Sequence, residues 1–420
     1  MDRLPGFRDF YPEPLPHSDV WSAELRQYIF DAWRDTCRRY GFREYDGPPL
    51  ETLELFTTKS GEEIVGQLYN FKDKSDRAVS LRPEMTPTLA RMVAAHERNY
   101  KKPMKWFALP QLFRYERQQK GRLREHFQFN ADIVGERDPS ADAELIALLI
   151  DSLRTVGLQP EDFVVRLSSR HAWHDFFLGR KTDPASEYDF YQAVDKLERD
   201  EPEVSRQKLA TVGISLDEVK AFVAQARPTD ELKTVLDNLA ARGLADYVKV
   251  DYGVIRGLAY YSGVVFEAFD RKGDFRAIAG GGRYDNLVKL ISGGKVDLPA
   301  LGFGMGDVVL TELLKARGKL PKFGVDLDVF CLVADESLRA ELLKLTQQLR
   351  SRGLAVDYPL TPAKPDKQFK RAQELRARRT VSLERDPAGE LVARIRTLST
   401  REEKVVSPSE AIEHLKQSAP

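Results

Sequence analysis

The spacing of hydrophobic positions changes along the chain, and each change marks an element. Val20, Leu25, Ile29 and Trp33 recur at helical spacing. Ser18 is placed as N-cap and Gly41 as stop, so a helix is predicted over 18–40. A second helix is predicted over 84–97. Residues 106–115 (WFALPQLFRY) and 127–134 (FQFNADIV) predict strands joined by a charged loop, Glu116 to His126. Another strand is predicted over 163–168. The stretch from about 171 to 246 is charged, helix-patterned and punctuated by Pro184, Gly213 and Pro228, which predicts a helical insertion. Strand character returns over 247–268.

A boundary is expected near 315–325. Beyond it a strand (328–333) precedes a helix (335–352) with Leu338, Leu342, Leu345 and Leu349 on one face and Gly353 at its end. Then come a strand (354–358), a basic helix (366–379) and strands at 380–384 and 391–397. A last helix opens on Ser407-Pro408-Ser409-Glu410, which has the form of a capping box with Pro at the first helical position. Strands alternating with helices predict a small C-terminal α/β domain over 325–420, after a larger domain over 1–320.

With 420 residues, two or three domains are expected. Hydrophobic residues are 42% and charged residues 31%, the balance of an ordinary folded protein. Net charge is zero, so any nucleic-acid contact must come from local patches rather than an overall basic surface. The two cysteines, Cys37 and Cys331, imply no disulfide framework and suit a cytoplasmic setting. The opening MDRLPGFRDFYPE has no apolar signal core, and no stretch approaches the roughly 18 apolar residues of a membrane span.

The candidate chemistry starts at the 113–132 hairpin. Strand side chains alternate between faces, so Arg114, Glu116, Gln128 and Asp132 can share one face while Phe113, Tyr115, Phe127 and Phe129 fill the other. A solvated polar face is the ordinary explanation of such a pattern. The loop QQKGRLREH, with Lys120, Arg122 and Arg124, favours a polyphosphate instead, since guanidinium pairs bidentately with phosphate oxygens. Downstream, GVIRGLAYYSG (253–263) carries Arg256, and AIAGGGRYDNL (277–287) has three glycines that permit close backbone approach. GFGMGD (302–307) fails the dinucleotide pattern at Asp307, and there is no P-loop. His171 and His174 stand at i, i+3 without further ligands at metal-site spacing, so no metal site is expected. The basic helix is a local positive patch, either a solvated face or a nucleic-acid backbone contact.

Taken in order, these segments resemble the histidine–tRNA ligases, class II aminoacyl-tRNA synthetases, along almost the whole chain. LPGFRDFYP resembles the family's opening segment, YGFREYDGPPLE its motif 1, LRPEMTPTLAR its LRPEGT block, and FRYERQQKGRLREHFQFNADIVG its motif 2. RGLAYYSGVVFEA and AGGGRYDNL resemble the two histidine-specific segments, and ALGFGMGD the start of motif 3. The resemblance implies an α+β catalytic domain on a mainly antiparallel sheet, with a helical insertion and a C-terminal anticodon-binding domain. It implies a homodimer whose partners are L-histidine, ATP with Mg²⁺, and tRNA(His). Arg114 and Arg256 would act on the α-phosphate, and Glu116 and Arg122 on the adenine and the far phosphates. Glu84, Thr86 and Gln128 would bind the amino group of histidine; Asp132 and Tyr261, with Tyr284 close by, would read its ring. Lys367, Lys370 and Arg371 would contact tRNA. The chain departs from the commonest family pattern where motif 3 usually ends in an ATP-contacting arginine, because Val309 stands there. Ala259 replaces a frequent Asp, and Asp132 a Glu. The missing arginine also fits a second reading, a catalytically inactive, histidine-binding regulatory subunit of an ATP phosphoribosyltransferase. Arg114, Arg122, Arg256 and Glu84 weigh against it, as does the C-terminal domain.

Overall fold

The computed structural model describes residues 2–12, 21–60, 62–115, 123–180, 183–197, 200–255, 261–321, 323 and 327–417. The chain forms two compact units, Met1–Leu320 and Pro321–Pro420.

The first unit is built on a nine-stranded sheet. In chain order its strands are β1 (Arg43–Glu44), β2 (Met104–Ala108), β3 (Gln111–Phe113), β4 (Glu125–Val134), β5 (Phe163–Ser169), β6 (Val248–Val250), β7 (Val264–Asp270), β8 (Ala279–Arg283) and β9 (Ala300–Gly306). Their spatial order is β6-β5-β7-β8-β9-β4-β2-β1, with β3 paired to the start of β4. All neighbours are antiparallel except β5–β6 and β1–β2. The sheet is thus mainly antiparallel, the class the resemblance implies.

Helices α1 (Ala23–Arg39), α2 (Leu53–Ser60), α3 (Thr86–His96) and α4 (Ser140–Thr155) precede the insertion. One sheet face packs on α1: Trp33 stacks on Phe129 at 5.4 Å between centroids, and Phe30 meets Phe127 at 5.3 Å. Helix α1 starts later than its apolar spacing suggests. Ser22, not Ser18, is the N-cap, its Oγ accepting from Leu25 N at 3.3 Å, and Ser18 lies outside the described residues. Residues 21–22 instead pair with 10–11 as a short two-stranded sheet. The strand expected over 106–115 is broken at Leu109–Pro110 into β2 and β3, because proline has no N–H for the ladder; its carbonyl accepts from Gln128 N at 3.0 Å.

The insertion is helical, as its pattern predicts: α5 (Arg170–Leu178), α6 (Glu187–Asp195), α7 (Pro202–Thr211), α8 (Leu216–Gln225) and α9 (Asp230–Ala241). Trp173, Phe176, Phe177, Phe190, Phe222 and Tyr252 form its aromatic core. Helices α10 (Leu287–Ile291) and α11 (Asp307–Ala316) complete the unit.

The second unit is a five-stranded mixed sheet of β10 (Leu327–Leu332), β11 (Val356–Asp357), β12 (Ala377–Arg385), β13 (Leu391–Thr397) and β14 (Glu403–Val406), in the order β11-β10-β12-β13-β14. Helices α12 (Arg339–Ser351), α13 (Pro365–Glu374) and α14 (Pro408–Gln417) accompany it. Leu338, Leu342, Leu345 and Leu349 are buried in its core, and the Ser407–Glu410 capping box is formed. The basic helix is shorter than predicted. It ends at Glu374, Arg376 turns the chain at φ 52°, and Arg378 and Arg379 lie on β12. No helix among the described residues is long and apolar enough to cross a membrane.

Candidate active site

The strand registers explain the glycines. Asp132 on β4 stands opposite Gly302, Gly302 opposite Gly282, and Gly282 opposite Val265. In the next row Asn130, Gly304, Gly280 and Glu267 face one another in turn, and Gln128 faces Gly306. Residues directly opposite in a ladder share a sheet face. The two central strands therefore present bare backbone, and polar side chains rise on either side. Phe129, Phe303 and Met305, on the other face, are fully buried core. Side chains on this floor would disturb the site: a Cβ on Gly302 would collide with Asp132 Oδ1, and one on Gly304 would stand 2.6 Å from Gln128 Nε2 and displace that side chain.

Two cavities lie over this floor. The smaller, about 390 Å³, is lined by Lys59, Glu84, Thr86, Arg114, Gln128, Asn130, Asp132, Tyr261 and Tyr284 among others. The larger, about 750 Å³, is lined by Arg114, His126, Gln128, Glu267, Arg276 and Val309 among others. Both volumes suit small-molecule sites. Arg114, Gln128, Glu267, Gly280 and Gly304 line both.

Asp132 is buried at the bottom of the smaller cavity. Tyr284 donates its hydroxyl to Oδ1, while Oδ2 has no hydrogen-bond partner among the described residues. Burial pushes this carboxyl up to about 7, against the stabilising Tyr284 bond. The neighbouring Asn130 Oδ1 is likewise buried and unpartnered among the described residues. At the rim, Lys59 on α2 is ion-paired with Glu84.

The segment carrying Glu84 is tied down on several sides. Arg82 is buried and donates to Gln111 O at 3.1 Å and Gly47 O at 2.6 Å. Phe113 N bonds Arg82 O at 3.0 Å, and Arg114 Nε bonds Pro83 O at 3.1 Å. Behind Tyr284, Arg283 points to the opposite face, ion-paired with buried Asp142 and donating to Glu136 O at 2.8 Å. From the N-terminal segment, buried Arg8 bridges Glu125 at 2.6 Å and Asp307 at 2.8 Å, joining the start of β4 to the start of α11.

The structure thus brings Glu84, Thr86, Arg114, Gln128, Asp132, Tyr261 and Tyr284 together on one cavity. Glu116, Arg122 and Arg256 lie outside the described residues. Lys367, Lys370 and Arg371 are exposed on α13 in the other unit, where Lys370 and Arg371 approach Glu374 at 4.0 and 3.8 Å. His171 and His174 pair with Glu231 at 3.0 Å and Glu187 at 2.7 Å, and no group of three or more His, Cys, Asp or Glu among the described residues is arranged to hold a metal.

The model of the histidyl-tRNA synthetase family matches residues 18–307, and that of the anticodon binding domain matches 326–418. The chain belongs to the histidyl-tRNA synthetase family. It is 43% identical to a protein named histidine–tRNA ligase from Opitutus terrae, over 98% of this chain and 96% of that one. It is 36% identical to a histidine–tRNA ligase of Leptospira biflexa, over 98% and 96%. The crystal structure of histidyl-tRNA synthetase from Nostoc sp. PCC 7120 covers 100% of this chain and 99% of its own, with a TM-score of 0.80 at 23% identity, which shows a shared fold. Within this histidyl-tRNA synthetase fold, the charged cavity residues Lys59, Asp195, Glu267 and Arg276 escaped the sequence reading. Only Glu267 left a usable signal, a lone carboxylate inside the apolar run VVFEAF.

Proposed function

We propose that this chain is a histidine–tRNA ligase that activates L-histidine with ATP and transfers it to tRNA(His). The observation that carries the reading is Arg114 on the wall shared by the two cavities. In the smaller cavity Glu84, Thr86 and Gln128 bind the α-ammonium group of histidine. The Lys59 ammonium already on Glu84 indicates a cation-binding position there. Asp132 Oδ2 accepts a ring N–H, with Tyr261 and Tyr284 beside it. ATP occupies the larger cavity.

Histidine and ATP thereby meet beside Arg114. A carboxylate oxygen of histidine attacks the α-phosphorus, the bond to the bridging oxygen of pyrophosphate breaks, and histidyl-adenylate forms. Arg114 neutralises charge building on the α-phosphoryl group, and positioning supplies much of the remainder. Arg256 joins it there, and Glu116 and Arg122 hold the adenine and the far phosphates. A ribose hydroxyl at the tRNA end then attacks the acyl carbon and releases AMP.

Mg²⁺ typically takes one or two carboxylates together with substrate phosphates, and the donor set fits that habit: Glu267 is the carboxylate on both cavity walls and would hold the ion. When bound, the ion supplies charge neutralisation at the phosphates. Lys367, Lys370 and Arg371 contact the tRNA backbone. The protein is a homodimer through the 40–51 segment, whose strand β1 is a sheet edge. The regulatory-subunit reading is less supported, since relatives named as ligases match over nearly the whole chain.

Histidine-dependent exchange of labelled pyrophosphate into ATP tests the reading. Exchange is expected with histidine and not with other amino acids. Measurable histidine binding without exchange would overturn it. A separate expectation concerns the glycine floor. Gly302→Ala places a methyl against Asp132 Oδ1. It should raise the histidine KM at least about tenfold and cost about 1–3 kcal/mol in a denaturant melt. An unchanged histidine KM would show that the floor does not set the position of Asp132.

A further inference from the structure

Val309, in the first turn of α11, stands where the family's third motif usually carries an arginine. We propose that Arg276, on the loop between β7 and β8, supplies the missing cation to the ATP polyphosphate; this rests on the ligase reading. Arg276 and Val309 line the same cavity, together with Arg114 and His126. Arg276 is exposed, so solvent and a ligand in this cavity can reach it.

The loop that carries it is held firmly. Asp270 accepts from Asp274 N at 2.9 Å and from Lys272 N at 3.3 Å. Arg271 donates to Phe163 O at 3.2 Å and Asp246 O at 2.8 Å. Arg317, the residue that caps α11, pairs with Asp270 and approaches Asp162 at 3.5 Å and Asp274 at 3.9 Å. The helix whose first turn bears Val309 is thereby bonded at its other end to the loop bearing Arg276. The cation has moved from the helix to the loop pinned to that helix.

Charge balance supports the assignment. Among the described lining residues of this cavity, Asp195 and Glu267 face Arg114, His126 and Arg276. Without Arg276, Arg114 is the only permanent cation in that described set, and it is already placed at the α-phosphate. A guanidinium matches the geometry of the outer phosphates and pairs with them strongly.

The test is pyrophosphate exchange by the full-length protein, with ATP, pyrophosphate and histidine varied separately. Arg276→Ala is expected to raise the KM for ATP and for pyrophosphate about 10- to 50-fold, the range of a lost charged hydrogen bond. The histidine KM should stay within about twofold. Arg276→Lys should fall between, since it keeps the charge but not the fork. Adding Val309→Arg to Arg276→Ala should restore most of the ATP affinity. If the alanine protein fails to fold, Arg276→Gln carries the same expectation. An unchanged ATP KM would overturn the assignment, as would an equal rise in the ATP and histidine KM values, which marks a structural role. Absence of exchange in the unsubstituted protein would instead overturn the ligase reading itself.

Discussion

Arg114→Ala is expected to lower kcat for histidine-dependent pyrophosphate exchange by about 10³-fold, the scale of removing a preorganised charge at the reacting group. Histidine binding, measured by calorimetry without ATP, should change little, because Glu84, Thr86, Gln128 and Asp132 remain. The asymmetry follows from position. Arg114 lines both cavities, and its Nε is held on Pro83 O, a carbonyl itself fixed through Arg82. That bond orients the guanidinium before substrate arrives. Arg114→Lys keeps the charge but cannot hold Pro83 O and a phosphate with one planar group, so a loss of about 10²-fold is expected. A kcat within tenfold of the unsubstituted protein for Arg114→Ala would remove Arg114 from the reacting centre.

The polar face of this site was legible because a strand has period two. Gln128, Asn130 and Asp132 alternate with buried Phe129, Ala131 and Ile133, as FQFNADIV implies. The spacing of Gly302, Gly304 and Gly306 also announces one bare face. The alignment of that face with Gly280 and Gly282 depends on register between distant strands, which local pattern does not encode. Lys59 was illegible for a similar reason. It sits on an eight-residue helix, and only the chain path brings it to Glu84, 25 residues on. The misplaced start of α1 has a local cause: Ser18 and Ser22 are both acceptable caps by type, and the pairing of Trp21–Ser22 with Phe10–Tyr11 selects the second. Likewise, the basic run 366–379 reads as one helix until β12 claims Ala377–Arg385 for the sheet. Tertiary pairing overrides helix propensity there.

Asp132→Asn should make the protein more stable at alkaline pH while destroying histidine recognition. In the folded protein burial raises this carboxyl from its ordinary 3.8 to about 7. Between those values the folded state holds a proton that the unfolded chain has released, so stability falls as pH rises through the window. Above about pH 7 the ionised, buried carboxylate carries the whole penalty, on the order of 2–4 kcal/mol. Asparagine cannot ionise and can still accept from Tyr284. The variant should therefore melt well above the unsubstituted protein at pH 8, with the gap closing towards pH 5. A gap independent of pH, or a less stable variant at pH 8, would show that desolvation of Asp132 does not govern the trend. Histidine addition separates stability from recognition. A bound ring N–H on Oδ2 returns part of what burial removed, so histidine should raise the melting temperature of the unsubstituted protein at pH 8. It should leave Asp132→Asn almost unmoved. The site would then keep a costly carboxylate because a buried charged acceptor rejects side chains that offer no N–H, a discrimination that an apolar pocket of equal shape does not achieve.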